Sequence, residues 1–477
     1  MIEVVALAIL AMVTVHLFDL SDAISLTLAL TIAYAVPRML YTSRKWCTPL
    51  GRAFLCAVSF LMVSLAVLTV WERTAAMGLP FSTPHLISDD GNYFRWALSH
   101  YNGLTPQSKV AFPGFPLVML ALFKLFGPSI VWPLAMNVLF TLTTIVITGA
   151  MAIRLLHGRI ECSDRWTATL AIGLTATLMF FLSQGLRIQK EAMLYLGITM
   201  CGYVLAGMNR SDASNKTVGW REVALWTTAC TLMALARTTY LYFAFIGLGI
   251  FLLSNWRKNW RKIALFTVIS GLLFTAGNLV ARYSIEGHIS IVGGGYYMQK
   301  DFLRHGSAAQ PYLDIVGKYF YYSIWHRLAL LPLSSSVQFI IPFPWVYSNA
   351  TVLNVFPRIA WGWYIVGGIT LYYFFCVSWR KKLSLGAWPW WPAAIFVTIA
   401  YVFAGVVSRY ILPIQPLAVP LAVYVVALLR AGKLRKLFFV WSVTYIVVLA
   451  ATLIICHQIQ VDYLHNMEEY YRSLMLK

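Results

Sequence analysis

The sequence predicts an all-α polytopic membrane protein with about 13 transmembrane helices, and three observations support this fold class. Hydrophobic residues make up 60% of the 477 residues and charged residues 11%, whereas soluble domains carry about 25% charged residues. The apolar residues form blocks long enough to cross a hydrocarbon core of about 30 Å. Lys- and Arg-rich clusters separate these blocks on alternate loops, which marks those loops as cytosolic. The net charge of +20 is explained by these loops, so no nucleic-acid partner is expected.

The spans follow one another along the chain with short connections. They are predicted at residues 1–18, 22–38, 52–71, 129–156, 166–183, 190–208, 222–238, 239–254, 263–281, 360–379, 388–406, 410–430 and 437–456. The first is interpreted as a retained span, because no basic leader or small-residue cleavage site accompanies it. Residues 115–126 are expected to be interfacial or re-entrant, because this run is short and carries Lys124. The result is a single integral membrane domain over 1–477, with the N-terminus inside and the C-terminus outside.

Two longer segments are predicted on the outer side of the membrane. The first outer loop covers 72–128 and contains an acidic motif and the interfacial segment. The second is a long outer loop over 282–359, rich in Tyr, Gly and Pro. Seven cysteines are present without a CxxC or Cys/His cluster, so the sequence predicts neither a disulfide framework nor a zinc site.

The first outer loop contains the sequence SDDGNYFRWALSHY over residues 88–101. Asp89 and Asp90 are adjacent carboxylates near a predicted span, where low-dielectric surroundings favour a general base. Tyr93 and Arg95 follow on the same segment. The alternative is that the two aspartates cap a helix beginning near Asn92.

A second polar group lies between two spans, in SQGLRIQKEA over 183–192. Its charged residues are Arg187, Lys190 and Glu191. Two cations at an outer mouth would suit a phosphate group. The alternative is a solvated turn with a local ion pair that contributes little.

Two more arginines interrupt apolar sequence. Arg237 separates two apolar runs that together cover 222–254, where an arginine must reach an aqueous cavity or a counter-ion. It could instead extend to the interface at a hairpin apex. Arg409 and Tyr410 precede a proline-containing helix start and form another candidate phosphate contact, with an interfacial anchor as the alternative.

Four stretches of this chain resemble the GT-C superfamily of membrane glycosyltransferases, which includes protein mannosyltransferases and lipid A aminoarabinose transferases. Asp89 and Asp90 with Tyr93 are similar to the acidic motif in the first outer loop of that family. The run PGFPLVMLALFKLFG over 113–127 resembles its proline-led segment. TLMALARTTYLYFAFIGLGIFLL over 231–253 and SRYILPIQPL over 408–417 are similar to patterns in its later helices.

The resemblance implies a GT-C-like fold and an inverting transfer in one displacement from a polyprenyl-phosphate sugar. Asp89 would be the general base, with Asp90 positioning it or the acceptor. The implied donor-phosphate ligands are Arg187, Lys190, Arg237 and Arg409, and the implied substrate-positioning residues are Tyr93, Arg95, Glu191 and Tyr410. The family's monophosphate users generally need no metal. Two neighbouring carboxylates could still hold one divalent cation.

The sequence therefore favours a glycosyltransferase at the outer, periplasmic face of a bacterial inner membrane. Its expected partners are a polyprenyl-phosphate-linked sugar, a glycan, lipid or protein acceptor, and membrane lipids. Two alternatives stay open. One is an O-antigen or polysaccharide polymerase or ligase that uses a diphosphate-linked glycan. The other is a flippase or transporter for a lipid-linked glycan, which should show paired half-helices near the bilayer midplane.

Overall fold

A computed structural model describes residues 2–86, 88–104, 114–209, 219–284, 361–380, 382–403 and 413–475, together with isolated positions between 325 and 359. Every regular element within these ranges is a helix. Most of the predicted long outer loop over 282–359 lies outside the described residues. Arg409 and Tyr410 also lie outside them.

The α-helices are numbered here in chain order. They are α1 Ile2–Leu17, α2 Leu20–Thr42, α3 Pro49–Arg73, α4 Ser88–Tyr101, α5 Gly114–Phe126, α6 Val131–Leu156, α7 Asp164–Ala176, α8 Met179–Ser183, α9 Glu191–Met208, α10 Trp220–Ala236, α11 Leu241–Ser284, α12 Trp361–Tyr372, α13 Trp390–Phe403, α14 Ile414–Arg430 and α15 Arg435–Met475. A π-helical turn over Tyr373–Val377 continues α12, and 3-10 turns occupy Ala75–Met77, Gln184–Leu186 and Thr238–Tyr240.

Within the described residues, six helical stretches are long and apolar enough to cross a membrane. They are Leu20–Thr42, Pro49–Met77, Val131–Leu156, Glu191–Met208, Asn259–Leu279 and Arg435–Ile455. A seventh is present if α7 and the following Met179–Leu186, which are bent by 64° relative to each other, form one span. Several apolar helices of this length indicate an integral membrane protein. The expected total of about 13 spans and the GT-C fold are not confirmed by this count.

Shorter apolar helices occupy four of the other predicted spans, and they are Thr238–Ser254, Trp361–Val377, Trp390–Tyr401 and Ile414–Arg430. A helix of 17 residues rises about 26 Å, which is less than the hydrocarbon thickness of about 30 Å. Gly114–Phe126, 13 residues long, corresponds to the run that was expected not to cross.

Helix α11 reverses its direction although it is helical throughout. The rings of Tyr242 and Phe274 are 5.4 Å apart, and Thr238 Oγ1 donates to Asn278 Oδ1 at 3.2 Å. Residues 32 positions apart on a straight helix would be separated by about 48 Å. The chain must therefore turn back near the basic stretch 255–258, as the two predicted spans 239–254 and 263–281 require.

The basic segments that connect the helices lie at one end of the helix bundle. Glu222 at the start of α10 bonds to Arg154 near the end of α6 and to Lys262 of α11, the latter at 2.9 Å. Thr48 caps α3 by accepting from the backbone N–H of Gly51 at 2.9 Å and meets Thr169 of α7 at 2.6 Å. We call this the basic end, and the positive-inside rule assigns it to the cytosol.

The bundle buries α9 and exposes apolar side chains along its outer helices. Leu194, Ile198 and Leu205 of α9 are fully or almost fully buried. Large apolar side chains are exposed at regular spacing on α2 and α15: Ile24, Leu28, Ile32, Val36, Phe439, Val443, Ile446 and Val447. An apolar face that contacts no protein is the pattern expected of a helix in contact with lipid tails.

Candidate functional site

Helix α4 carries the acidic motif at its N-terminus. The helix begins at Ser88, so Asp89 and Asp90 lie in its first turn. The alternative of a helix that begins near Asn92 is therefore wrong, because the helix begins four residues earlier. Carboxylates in a first turn are stabilised by the positive end of the helix dipole. Around the helix axis, Tyr93 is about 40° from Asp89, four positions earlier, and about 60° from Asp90, three positions earlier, so both carboxylates lie on the side of α4 that carries Tyr93.

Asp90 forms a buried ion pair with Arg73, the last residue of α3. Arg73 Nη2 donates to Asp90 Oδ2 at 2.9 Å, and the two residues are 9% and 3% exposed. Arg73 was not among the sequence-predicted site residues. The sequence feature that could have indicated Arg73 is its position at the end of an apolar span, on the side of the membrane where basic residues are scarce.

Tyr93 and Lys190 form the second buried contact of the motif. Lys190 Nζ donates to the Tyr93 hydroxyl oxygen at 2.7 Å and lies 5.2 Å from the centre of its ring. Burial raises the pKa of Tyr93, opposed by Lys190 and reinforced by the negative charges of Glu191 and Asp89. The phenol is therefore protonated at neutral pH. The charges of Asp89 and Glu191 thus act on the hydroxyl group that Lys190 contacts.

The segment 187–191 is part of the protein interior. Lys190 is 6% exposed and Glu191 1% exposed, so the interpretation as a solvated turn is wrong. Asn137 of α6 holds this segment by donating from Nδ2 to the carbonyl oxygens of Arg187 at 2.6 Å and Gln189 at 2.8 Å. Arg187 itself is partly exposed. After the bend that follows α7, the chain runs inward and places Lys190 beside the acidic motif.

Arg237 ends α10 and is brought towards the same region by α5. Its backbone is extended, which ends the helix at Ala236, and its guanidinium carbon is 6.0 Å from the ring centre of Tyr240. Gly114 at the start of α5 packs directly on Leu235, because a Cβ at Gly114 would lie 2.3 Å from the Leu235 carbonyl oxygen. The next residue, Phe115, packs edge-on against Tyr93 at 5.7 Å. Arg237 is buried, 7% exposed, and follows the Leu235 that packs on α5, the helix whose Phe115 contacts Tyr93.

The structure does not bring every predicted site residue close to the contact between Tyr93 and Lys190. Arg95 is exposed and donates to Asn92 Oδ1 at 3.1 Å on the surface of α4. It is two positions from Tyr93 and therefore lies near the opposite face of the helix. Arg409 and Tyr410 lie outside the described residues.

The described residues contain no group of three or more His, Cys, Asp or Glu side chains suited to a metal ion. Asp90 is already engaged by Arg73 at 2.9 Å.

We call the group formed by Arg73, Asp89, Asp90, Tyr93, Lys190, Glu191 and Arg237 the acidic-basic cluster. It lies at the end of α3, α9 and α10 opposite the basic end, because Glu191 starts α9 and Arg237 follows α10, whereas Glu222 starts α10. A half-buried carboxylate beside buried cations can accept a proton from one group while the cations hold an anion.

Comparisons with known proteins add no family assignment. No protein-family model matches the chain, and no curated protein is similar to it. The resemblance to GT-C glycosyltransferases therefore rests on the motifs quoted above.

Proposed function

We propose that this chain is an inverting GT-C-type glycosyltransferase that moves a sugar from a polyprenyl phosphate to an acceptor hydroxyl. The observation that carries the proposal is the buried Lys190–Tyr93 contact beside Asp89 and Glu191. A cation buried next to carboxylates, in a protein whose outer helices face lipid, suits the phosphate of a lipid carrier.

The proposed reaction is a single displacement. Asp89 accepts the proton of the acceptor hydroxyl, whose oxygen forms a bond to the anomeric carbon of the sugar. The bond between that carbon and the phosphate oxygen breaks, and its electron pair leaves with the polyprenyl phosphate. Lys190 and Arg237 stabilise the negative charge of the departing phosphate. The protonated Tyr93 hydroxyl is a further hydrogen-bond donor on the same helix face as Asp89.

The location of the acidic-basic cluster supports action at the periplasmic face of a bacterial inner membrane. The cluster and the basic end occupy opposite ends of α9 and α10. If the basic end faces the cytosol, as the positive-inside rule expects, the cluster opens to the other side.

Transfer in proteoliposomes tests the proposal. The donor is a radiolabelled polyprenyl-phosphate sugar and the acceptor a crude envelope fraction. We expect Asp89→Asn to lower transfer by roughly 100-fold or more while donor binding is retained, and Arg237→Ala to weaken donor binding. Asp164→Asn is the matched control, because this carboxylate is exposed at the start of α7 and pairs with His157. Full activity of Asp89→Asn would overturn its role as base and shift support to a polymerase or ligase.

A lipid-linked glycan transporter is the second candidate, and one observation favours it. The pair formed by α7 and Met179–Leu186 is bent by 64°, and broken helices of this kind line substrate sites in transporters. The same proteoliposomes distinguish the two functions. Movement of the labelled lipid between leaflets without any transfer by the wild type would support the transporter.

A further inference from the structure

The Arg73–Asp90 ion pair contains one hydrogen-bond donor and one acceptor that the protein does not use. Arg73 Nη2 and Asp90 Oδ2 bond to each other at 2.9 Å. The other two terminal atoms, Arg73 Nη1 and Asp90 Oδ1, are buried and have no hydrogen-bond partner among the described residues. Roughly 90% or more of buried polar groups in proteins are hydrogen-bonded. Two such atoms on one pair therefore indicate a ligand that both accepts and donates.

The charge of the pair limits the chemistry of that ligand. The side chains are 10% and 4% exposed and their charges cancel, so the pair has no net attraction for an ion. A phosphate accepts hydrogen bonds only and would be repelled by Asp90. An ammonium group donates only and would be repelled by Arg73. A hydroxyl group accepts from Nη1 and donates to Oδ1, which satisfies both atoms.

The pair lies beside the site where the proposed reaction takes place. Around the axis of α4, Asp90 is about 100° from Asp89 and about 60° from Tyr93. Lys190 contacts α4 at Tyr93. The cationic contact for a phosphate and the neutral contact for a hydroxyl thus lie on the same side of α4.

We propose that Arg73 and Asp90 form a hydroxyl-binding subsite that recognises a neutral sugar ring next to the reacting carboxylate of Asp89. This inference rests on the proposed glycosyltransferase function for its setting. The sugar is either that of the donor or that of a glycan acceptor, since both present hydroxyl groups.

Binding measurements on the full chain in lipid nanodiscs test the subsite. The probes are sugar-free polyprenyl phosphate, polyprenyl phosphate carrying one of several hexoses or pentoses, and soluble methyl glycosides. The variant is Arg73→Gln/Asp90→Asn, which removes both charges together and avoids leaving one buried ion unpaired. Arg154→Gln/Glu222→Gln/Lys262→Gln, which removes all three charges of the ion-pair group at the basic end, is the matched control. Elution as a single symmetrical species checks that each variant folds.

We expect the wild type to bind one sugar-bearing donor roughly 10- to 100-fold more tightly than sugar-free polyprenyl phosphate, because hydrogen bonds to charged groups are strong. The double variant should lose this preference and keep its affinity for the sugar-free lipid, and the control should keep both. If the preference appears only with methyl glycosides and is lost in the variant, the subsite serves the acceptor.

Two other outcomes distinguish a failure of the subsite proposal from a failure of the proposed function. A folded variant that binds every sugar probe like the wild type overturns the subsite, because the two atoms are then satisfied by water alone. A wild type that binds no polyprenyl phosphate contradicts the proposed function. In that case the methyl glycosides alone decide whether Arg73 and Asp90 bind a sugar, and no sugar-dependent difference between wild type and variant overturns the subsite.

Discussion

Lys190 and Tyr93 are 97 residues apart in the chain, yet the ammonium nitrogen is 2.7 Å from the phenol oxygen. The contact joins the second turn of α4 to the turn before α9. Separate contacts position the two partners. Phe115 packs against Tyr93 at 5.7 Å, and Asn137 holds the segment before Lys190. Several predictions about donor binding and stability can be made from these contacts.

Replacing either partner of this contact should weaken donor binding. We expect Lys190→Met to reduce the affinity for polyprenyl-phosphate sugar by roughly 10- to 100-fold, because a buried charge-assisted contact is lost. Tyr93→Phe should have a smaller effect. The double variant should be weaker than wild type by less than the two single effects combined, since the residues are in contact. Equilibrium binding in nanodiscs measures all three, and strictly additive effects would contradict the coupling.

The pKa of Tyr93 should appear in the stability of the protein at alkaline pH. Because burial raises the pKa of Tyr93 in the folded protein, its contribution to stability is complete below the unfolded value of about 10. It is lost as the pH rises through the folded pKa. We expect the thermal midpoint of the wild type to fall more steeply above about pH 10 than that of Tyr93→Phe. Parallel curves for the two proteins would contradict this assignment.

Asn137 should contribute to both stability and donor binding. Asn137→Ala removes two hydrogen bonds to backbone carbonyl oxygens, one buried and one partly buried, and should lower the unfolding free energy by about 2 to 4 kcal/mol. Asn259→Ala is the control, because Asn259 makes the same kind of bond to the Met208 carbonyl oxygen at 3.1 Å near the basic end. Both variants should be less stable, but only Asn137→Ala should bind donor more weakly. Equal donor binding by the two variants would show that Asn137 has no influence on the site.

Gly91 should be intolerant of a side chain. A Cβ at this position would lie 2.6 Å from the backbone oxygen of Leu86, so Gly91→Ala must displace the first turn of α4. We expect a loss of about 1 to 3 kcal/mol in stability together with weaker transfer. Gly249→Ala in α11 is the matched control. No atom lies within 4 Å of a Cβ there, so it should be neutral or stabilise by about 0.5 to 1 kcal/mol.

The sequence was most informative where a pattern is local. The interruption at Arg237 follows from one charge between two apolar runs, and the structure ends α10 at Ala236. The short helix Gly114–Phe126 was likewise expected from its length and Lys124. The reversal in α11 agrees with the two predicted spans because the basic stretch separates two apolar runs.

Contacts between distant segments could not be predicted in the same way. The Arg73–Asp90 pair joins a helix end to another helix across an irregular stretch, and no sequence periodicity specifies that approach. The segment 187–191 has the composition of a solvated turn, but the bend after α7 and the bonds from Asn137 bury it. The number of spans depends on helix lengths, which apolar runs define only to within a few residues.

Helix α6 determines from which side of the membrane a carrier lipid can reach the site of the proposed reaction. It holds the segment beside Lys190 through Asn137 and reaches Glu222 through Arg154. These two positions are 17 residues apart on one helix, a rise of about 26 Å, which is most of the hydrocarbon thickness of about 30 Å. A carrier lipid with its headgroup in the leaflet on the Arg154 side would be out of reach of Lys190. Donor synthesised on that side would have to be translocated by a separate step before this protein could use it.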